Sequence, residues 1–310
     1  MGKGKEGFQG DAFDWDAYVK HRPVYGPELY DLVYNYHSDP KRSPKPAWET
    51  AYDAGTGIGL VGLEHVKRFN NVILSDAGAN YIADAKKFVG DQADISKFRF
   101  LTCKVEDDKG EIEPSSVDLM TMAMAIHFTD VSKTLDAAAK LVRPGGTFAA
   151  WVYIARFHLI NSFPGDAELR AKLNKLCAVY FAALDEHVNT ASSASHVFQG
   201  LDTLDMDEKK WSNVTRKKWR LDDPDELLAL AKTKRTETYV KPSEVLEKHD
   251  EDIMIMSGVN IEWIKGYYHS LYPAKVVEDD VFREVEDALS EVGGKCDLGW
   301  PVAIVLATRR

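Results

Sequence analysis

Cysteine is scarce in this 310-residue chain. There are 3, Cys103, Cys177 and Cys296, far apart and odd in number. They offer neither a disulfide framework nor a metal-ligand spacing. A reducing, cytoplasmic compartment is expected, with no metal site. Long apolar runs are also missing. No stretch reaches the roughly 18 apolar residues that span a bilayer. The start, Met1 to Asp11, is polar and glycine-rich; it is expected to be disordered and carries no signal-peptide pattern. Nor is there a basic excess, since the net charge is −10. Phosphate binding needs a surplus of Lys and Arg, so neither nucleic acid nor an anionic membrane is expected as a partner. One cluster runs against this trend: Lys209, Lys210, Arg216, Lys217, Lys218 and Arg220. It reads as a solvated strand edge, because lysines blunt exposed edges; a nucleic-acid patch is the alternative. No internal repeat is present. The chain is 45% hydrophobic, enough for one large domain or for a domain with a cap.

The most informative stretch is Asp53-Ala54-Gly55-Thr56-Gly57-Ile58-Gly59. It follows a strand-like segment, Trp48 to Tyr52, and precedes a helical pattern, Leu60 to Phe69. Glycines at alternate positions let the backbone turn tightly and approach a ligand. The helix start behind them offers unpaired N–H groups. An acid ahead of the bend repels a pyrophosphate and attracts an ammonium, which favours a cofactor with an amino-acid moiety over a dinucleotide. Gly57-Ile58-Gly59-Leu60-Val61-Gly62 also fits the dinucleotide pattern, which alone is weak. A glycine-rich loop without a cofactor is a third reading.

The surrounding order weighs for the first. Asn71 to Leu74 reads as a strand ending at Ser75-Asp76, an acid suited to ribose hydroxyls. Phe98 to Cys103 is a third strand, followed by Glu106, Asp107 and Asp108. Val117 to Met124 reads as a buried strand leading to Ile126-His127-Phe128. Phe148 to Tyr153 is a fifth strand. The alternation implies a parallel, doubly wound α/β sheet of seven strands, closed by Trp211 to Leu221 and Leu298 to Ala307. Ala167 to Leu184 and Glu278 to Val292 read as helices, and Val188 to Gly200 as a Ser-rich loop. Pro242 to Pro273 reads as two helices. The expected division is an N-terminal lid segment and helix over 1–45, a core over 46–221 and 276–310, and a helical cap insertion over 222–275.

Several motifs carry a resemblance: WDAYVKHRPVYG at 15–26, DAGTGIG at 53–59, SDAG at 75–78, VDLMTMAMAIHFTD at 117–130, LVRPGGTFAAW at 141–151 and the closing LGWPVAIVLATRR. The chain resembles the class I S-adenosylmethionine-dependent methyltransferases, and more narrowly the fungal proteins grouped with trans-aconitate methyltransferase. The resemblance implies that Tyr18 and Arg22 close over S-adenosylmethionine, with Arg22 meeting its carboxylate. It implies that Asp53, Gly55, Gly57 and Gly59 hold the methionine portion and Asp76 the ribose. Ala77, Val105 and Glu106 would lie by the adenine and Met124 beside the sulfonium. The pattern departs in three places. Glu49 to Tyr52 is more polar than usual, Ala77-Gly78 is smaller, and Phe128 stands where tryptophan is frequent.

Methyl transfer requires alignment and exclusion of water. A carboxylate acceptor needs no base, whereas a hydroxyl does, and histidine is the usual one. His127, just past the fourth strand, is the candidate base or substrate-orienting group; a structural histidine is the plain alternative. His21 and His158 are weaker candidates. Arg156, with Lys241 behind it, is the candidate clamp for an acidic substrate. Phe13, Trp15, Tyr153 and Trp263 could sandwich a flat aromatic. The expected function is O-methylation of a small molecule, a carboxylic acid or a fungal secondary metabolite. The alternatives are a fold repurposed for cyclisation or rearrangement, and a non-catalytic cofactor-binding partner protein. Asp53→Ala is predicted to abolish cofactor binding; unchanged affinity by calorimetry would refute its assignment.

Overall fold

The computed structural model describes residues 14–43, 45–107, 110–160, 162–187, 191–221, 223–231, 233–271 and 276–310. Phe13, Asp108 and the polar start lie outside the described residues. Five strands follow the expected alternation: β1 (Thr50–Ala54), β2 (Asn71–Asp76), β3 (Phe98–Thr102), β4 (Val117–Ala123) and β5 (Val142–Tyr153). Between and before them stand α1 (Trp15–His21), α2 (Pro27–Ser38), α3 (Leu60–His65), α4 (Ala79–Gly90) and α5 (Val131–Leu141). Strands β2 and β4 are apolar and buried along nearly their whole length, as strands covered on both faces are. The remaining elements are β6 (His158–Leu159), α6 (Asp166–His187), α7 (Ala191–Phe198), β7 (Trp211–Trp219), α8 (Pro224–Leu230), β8 (Val245–His249), β9 (Ile255–Val259), α9 (Ile261–Ser270), α10 (Asp279–Glu291), β10 (Cys296–Gly299) and β11 (Val302–Arg309).

The main sheet has eight strands rather than the expected seven, in the order β3-β2-β1-β4-β5-β11-β7-β8. Strands β1 to β5 run parallel, while β11 is antiparallel to both β5 and β7. The chain order reverses between β1 and β4. That switch point is where open α/β sheets bind ligands, at the carboxyl ends of the strands.

The extra strand, β8, comes from the segment expected to be helical. Residues 242–273 hold two strands, β8 and β9, and one helix, α9, rather than two helices. Neither strand is buried along its length: β8 lies at the sheet edge, and β9 edges a second sheet of order β6-β10-β9. Backbone pairing and side-chain pairs hold β8 instead. Lys217 Nζ donates to Glu247 at 2.6 Å, and Trp219 stacks on His249 with centroids 5.0 Å apart. Within the stretch read as a Ser-rich loop, α7 forms, with Ser195 and Phe198 buried. Cys177 is buried on α6, whereas Cys103 lies just beyond β3 and is half-buried.

The basic cluster belongs to β7 and its flanks, and β8 covers that strand. Most of its charges are matched: Lys218 meets Asp202 at 2.6 Å, Lys210 meets Asp136 at 2.7 Å and Arg216 meets Glu244 at 2.5 Å. The last pair is fully enclosed, with side-chain exposures of 0% and 2%. Arg216 also donates to the carbonyls of Leu201 and Leu204. Removing one partner of a buried pair strands the other charge. Glu244→Ala is therefore expected to cost about 3–5 kcal/mol, read as a lower denaturant midpoint; a loss below about 1 kcal/mol would contradict a buried, dependent charge.

Candidate active site

The glycine bend sits at the switch point and is fastened from below. Gly55 N and Thr56 N both donate to Ser75 O on β2, each at 2.9 Å. Gly55 has φ +71°, and a Cβ there would stand 2.6 Å from the Ala125 Cβ. The bend and the end of β4 are thus pressed together with no space for a side chain. At Gly57, φ is +55° and a Cβ would meet the Trp15 ring at 3.2 Å.

Two carboxylates enclose this bend. Asp53 is 1% exposed and lies beneath the turn rather than open at its mouth. Its Oδ2 accepts from Thr56 Oγ1 at 2.6 Å and its Oδ1 from Thr121 Oγ1 at 3.0 Å. Burial raises its pKa to about 6; the hydroxyl bonds oppose that shift and Asp76 adds to it. Asp76 accepts from Gly57 N and Gly78 N, each at 3.1 Å. Burial raises its pKa too, against these backbone bonds. Ala77 beside it is exposed. Across the same mouth, Val105 is buried, and Glu106 Oε2 is buried with no hydrogen-bond partner. Met124, at the end of β4, holds φ +50°, a conformation costly for such a side chain. Its sulfur accepts from Tyr153 N at 3.1 Å.

Helix α1 roofs the bend. Asp14 caps it by accepting from Ala17 N at 2.9 Å. Trp15 meets Tyr18 and Tyr81 edge-on, at 5.3 and 5.1 Å. Arg22 closes the helix onto two other elements: it donates to Tyr153 Oη at 2.8 Å and to Ser270 O at 2.6 Å. Its guanidinium lies 4.8 Å from the Tyr18 ring centre. Its Nε is buried and unpartnered, and no carboxylate among the described residues is paired with it. Trp263, stacked on Tyr267 at 5.6 Å, donates to Lys20 O at 3.1 Å and ties α9 to α1.

His127 is buried, its ring 4.0 Å from that of Phe128, and its Nδ1 has no partner. Burial, with His196 adding, pushes its pKa down to about 3. Arg156 is held by Glu226 at 2.8 Å. Lys241 is held by Asp205 at 2.8 Å, and His158 by Asp252 at 2.7 Å. His21 Nδ1 lies against Ala17 O at 3.0 Å. Direct bonds thus join Gly57 to Asp76 and Arg22 to Tyr153, and Asp53 is tied to the bend through Thr56. No hydrogen bond among the described residues joins His127 or Arg156 to that group. The sequence reading missed Thr56 and Thr121, the hydroxyls that grip Asp53. Thr56 was visible inside the motif; Thr121 lies within a run of buried strand residues and carried no signal.

Comparison with known proteins points to one class. Residues 52–150 match the methyltransferase domain family. Over 96% of its length the chain is 27% identical to a methyltransferase, cfoB, of Aspergillus candidus, covering 95% of that protein. It is 26% identical to methyltransferase pgmE of Aspergillus terreus, covering 95% of this chain and 93% of that one. The fold matches the structure of a candidate type II methyltransferase from Anaeromyxobacter dehalogenans, with TM-score 0.59, 19% identity and coverage of 93% and 97% of the two chains. The chain is thus similar to methyltransferases both in sequence and in fold, and the cofactor expected from the sequence is S-adenosylmethionine. The residues present suit that group. A bend with no room for side chains, an orphaned buried carboxylate oxygen on Glu106 and an orphaned buried guanidinium nitrogen on Arg22 supply an acceptor and a donor that the chain leaves unused. No metal-binding cluster occurs among the described residues, and none of their helices is long and apolar enough to cross a membrane.

The His127 shift has a sign that can be checked. A histidine kept neutral in the fold but free to protonate when unfolded loses stability for the native state as pH falls below 6.5, down to about 3. His127→Leu is expected to flatten the fall in melting temperature between those limits. An unchanged slope would mean that the ring is solvated.

Proposed function

We propose that the protein transfers a methyl group from S-adenosylmethionine to an oxygen of a small molecule, with a carboxylic acid as the favoured acceptor and a fungal secondary metabolite as the favoured class. The observation that carries the small-molecule reading is the roof: Trp15 lies over Gly57 while Arg22 binds β5 and α9 together. A macromolecular surface could not reach beneath it. On this reading, residues 1–45 form the lid and 222–275 the cap of a core over 46–221 and 276–310, with the cap segment also lending β8 to the core sheet, and the unbridged thiols suit a cytoplasmic setting.

When bound, the cofactor supplies a methyl group already activated by its positive sulfur. The chain's part is to hold, align and dry the site. Asp53, Gly55, Gly57 and Gly59 hold the methionine end and Asp76 the ribose. Ala77, Val105 and Glu106 border the adenine, and Met124 stands by the sulfur. Tyr18 and Arg22 close over them. His127 stays neutral at physiological pH because burial lowers its pKa to about 3. That makes it a weak base and a competent hydrogen-bonding group. An acceptor already ionised, such as a carboxylate, suits it better than an alcohol. Arg156 can turn to such an acid only by leaving Glu226.

With methyl-labelled cofactor and a panel of small acids and phenols, label is expected in an ester product. Product without label would favour cyclisation or rearrangement; binding without turnover would favour a non-catalytic partner protein. For a carboxylate acceptor, His127→Ala should lower kcat by less than about 10-fold. A loss of roughly 10²-fold or more would instead mark a hydroxyl acceptor with His127 as its base.

A further inference from the structure

The Asp53 carboxylate is the inner end of a line of hydrogen bonds that reaches through four elements. Tyr34 on α2 is 2% exposed, and His65 on α3 and Thr121 on β4 are 0% exposed. Tyr34 Oη lies 2.9 Å from His65 Nδ1. His65 Nε2 lies 2.9 Å from Thr121 Oγ1. Thr121 Oγ1 lies 3.0 Å from Asp53 Oδ1, its β1 partner in the sheet register. Beyond Asp53, Thr56 Oγ1 closes the line at 2.6 Å, inside the glycine bend.

The direction of every bond follows from one group. An ionised carboxylate only accepts, so Thr121 gives its single proton to Asp53. Thr121 must then accept from His65, so Nε2 carries the ring proton. A neutral imidazole leaves Nδ1 as acceptor, so Tyr34 donates. One tautomer and one rotamer satisfy the whole line, and burial keeps the ring in the neutral state this requires, its pKa lowered to about 3. Were His65 protonated, both nitrogens would donate, and Tyr34 Oη would have to accept and send its own proton elsewhere.

We propose that His65 and Tyr34 are positioning residues: they aim the Thr121 hydroxyl at Asp53, and so keep that carboxylate ionised and locked to Thr56 in the shape that binds S-adenosylmethionine. The proposal rests on the cofactor reading above. None of the three groups behind Asp53 needs to touch a ligand. Their work is to offset the cost of burying a charge beneath the bend, since a hydrogen bond to the charged form lowers a carboxylate's pKa. The titratable groups around Asp53 are Asp76 on β2, Tyr30 and Tyr34 on α2, and Glu64 and His65 on α3. Asp76 pushes the Asp53 pKa upward, so the line offsets it as well as burial.

The test is a carbon-13 carboxyl titration of ligand-free protein, paired with calorimetry of S-adenosylhomocysteine. In the wild type Asp53 should titrate near pH 6. Thr121→Val and His65→Phe should move that midpoint upward by about one unit, as loss of a hydrogen bond to the charged form requires. They should weaken binding at pH 7 about 10-fold. His65→Gln, which keeps a donor toward Thr121, should restore the wild-type midpoint. A residue that only fills space would change melting temperature and leave the midpoint in place. Should His65→Phe fail to fold, Thr121→Val carries the test, with Tyr34→Phe expected to give a smaller upward shift. An unmoved midpoint in folded Thr121→Val overturns the relay even if the wild type binds S-adenosylhomocysteine. A wild type that binds none overturns the functional reading, and the relay's purpose with it, whatever the midpoints do.

Discussion

One buried charge organises the candidate site. Asp53 is taken out of water at the junction of β1 and β4, where the sheet changes direction. An isolated carboxylate there would be expensive. The fold answers with a hydroxyl on each oxygen, one from the bend and one from the neighbouring strand. Because Thr56 belongs to the bend, the same bonds that stabilise the charge also set the backbone shape. Asp76 repeats the arrangement from β2, through two backbone N–H groups. The charge does not stand open at the mouth, as an acid ahead of a glycine run suggests. It sits beneath the turn and is expressed through it.

Much of this was legible in the sequence, and the reasons differ by region. The glycine run and the apolar strands β2 and β4 could be read directly, because strands buried on both faces must be continuously apolar. Helices α6 and α10 lie where the sequence reads as helical. Strands β8 and β9 were illegible for the opposite reason. They are short edge strands that leave most of their side chains unburied, held by backbone pairing and by partners far away in the sequence, such as Lys217 for Glu247. At the site, the glycines and acids were visible as a motif. The grip of Thr121, the contact of Tyr153 with Arg22 and the pairing of Arg156 with Glu226 were not, since each is made across elements. The low pKa of His127 was hidden for the same reason: it comes from burial, which a residue's place after a strand does not reveal.

The roof belongs to the same logic. Arg22 is a buried cation surrounded by aromatic rings, a hydroxyl and a carbonyl rather than by an acid. Such a group is satisfied only in part by its own chain, as its bare Nε records. Under the function proposed above, the acids at the bend and the cation of α1 would offer a zwitterionic amino-acid end a counter-charge on each side. Glycine run, α1 and α9 lie far apart along the chain, and Trp15, Arg22 and Trp263 are the side chains that bring them together.

Strand β11 has a consequence of another kind. It is the last strand in the chain, yet it lies in the middle of the sheet, joining β5 on one side to β7 on the other. During synthesis β7 and β8 emerge long before it and have no place to dock. The parallel half meanwhile carries an unguarded flank along β5, of the kind that invites pairing with other chains. Completion of the sheet is therefore a late, long-range event, and a nascent chain stalled before residue 302 would be a natural client for chaperones.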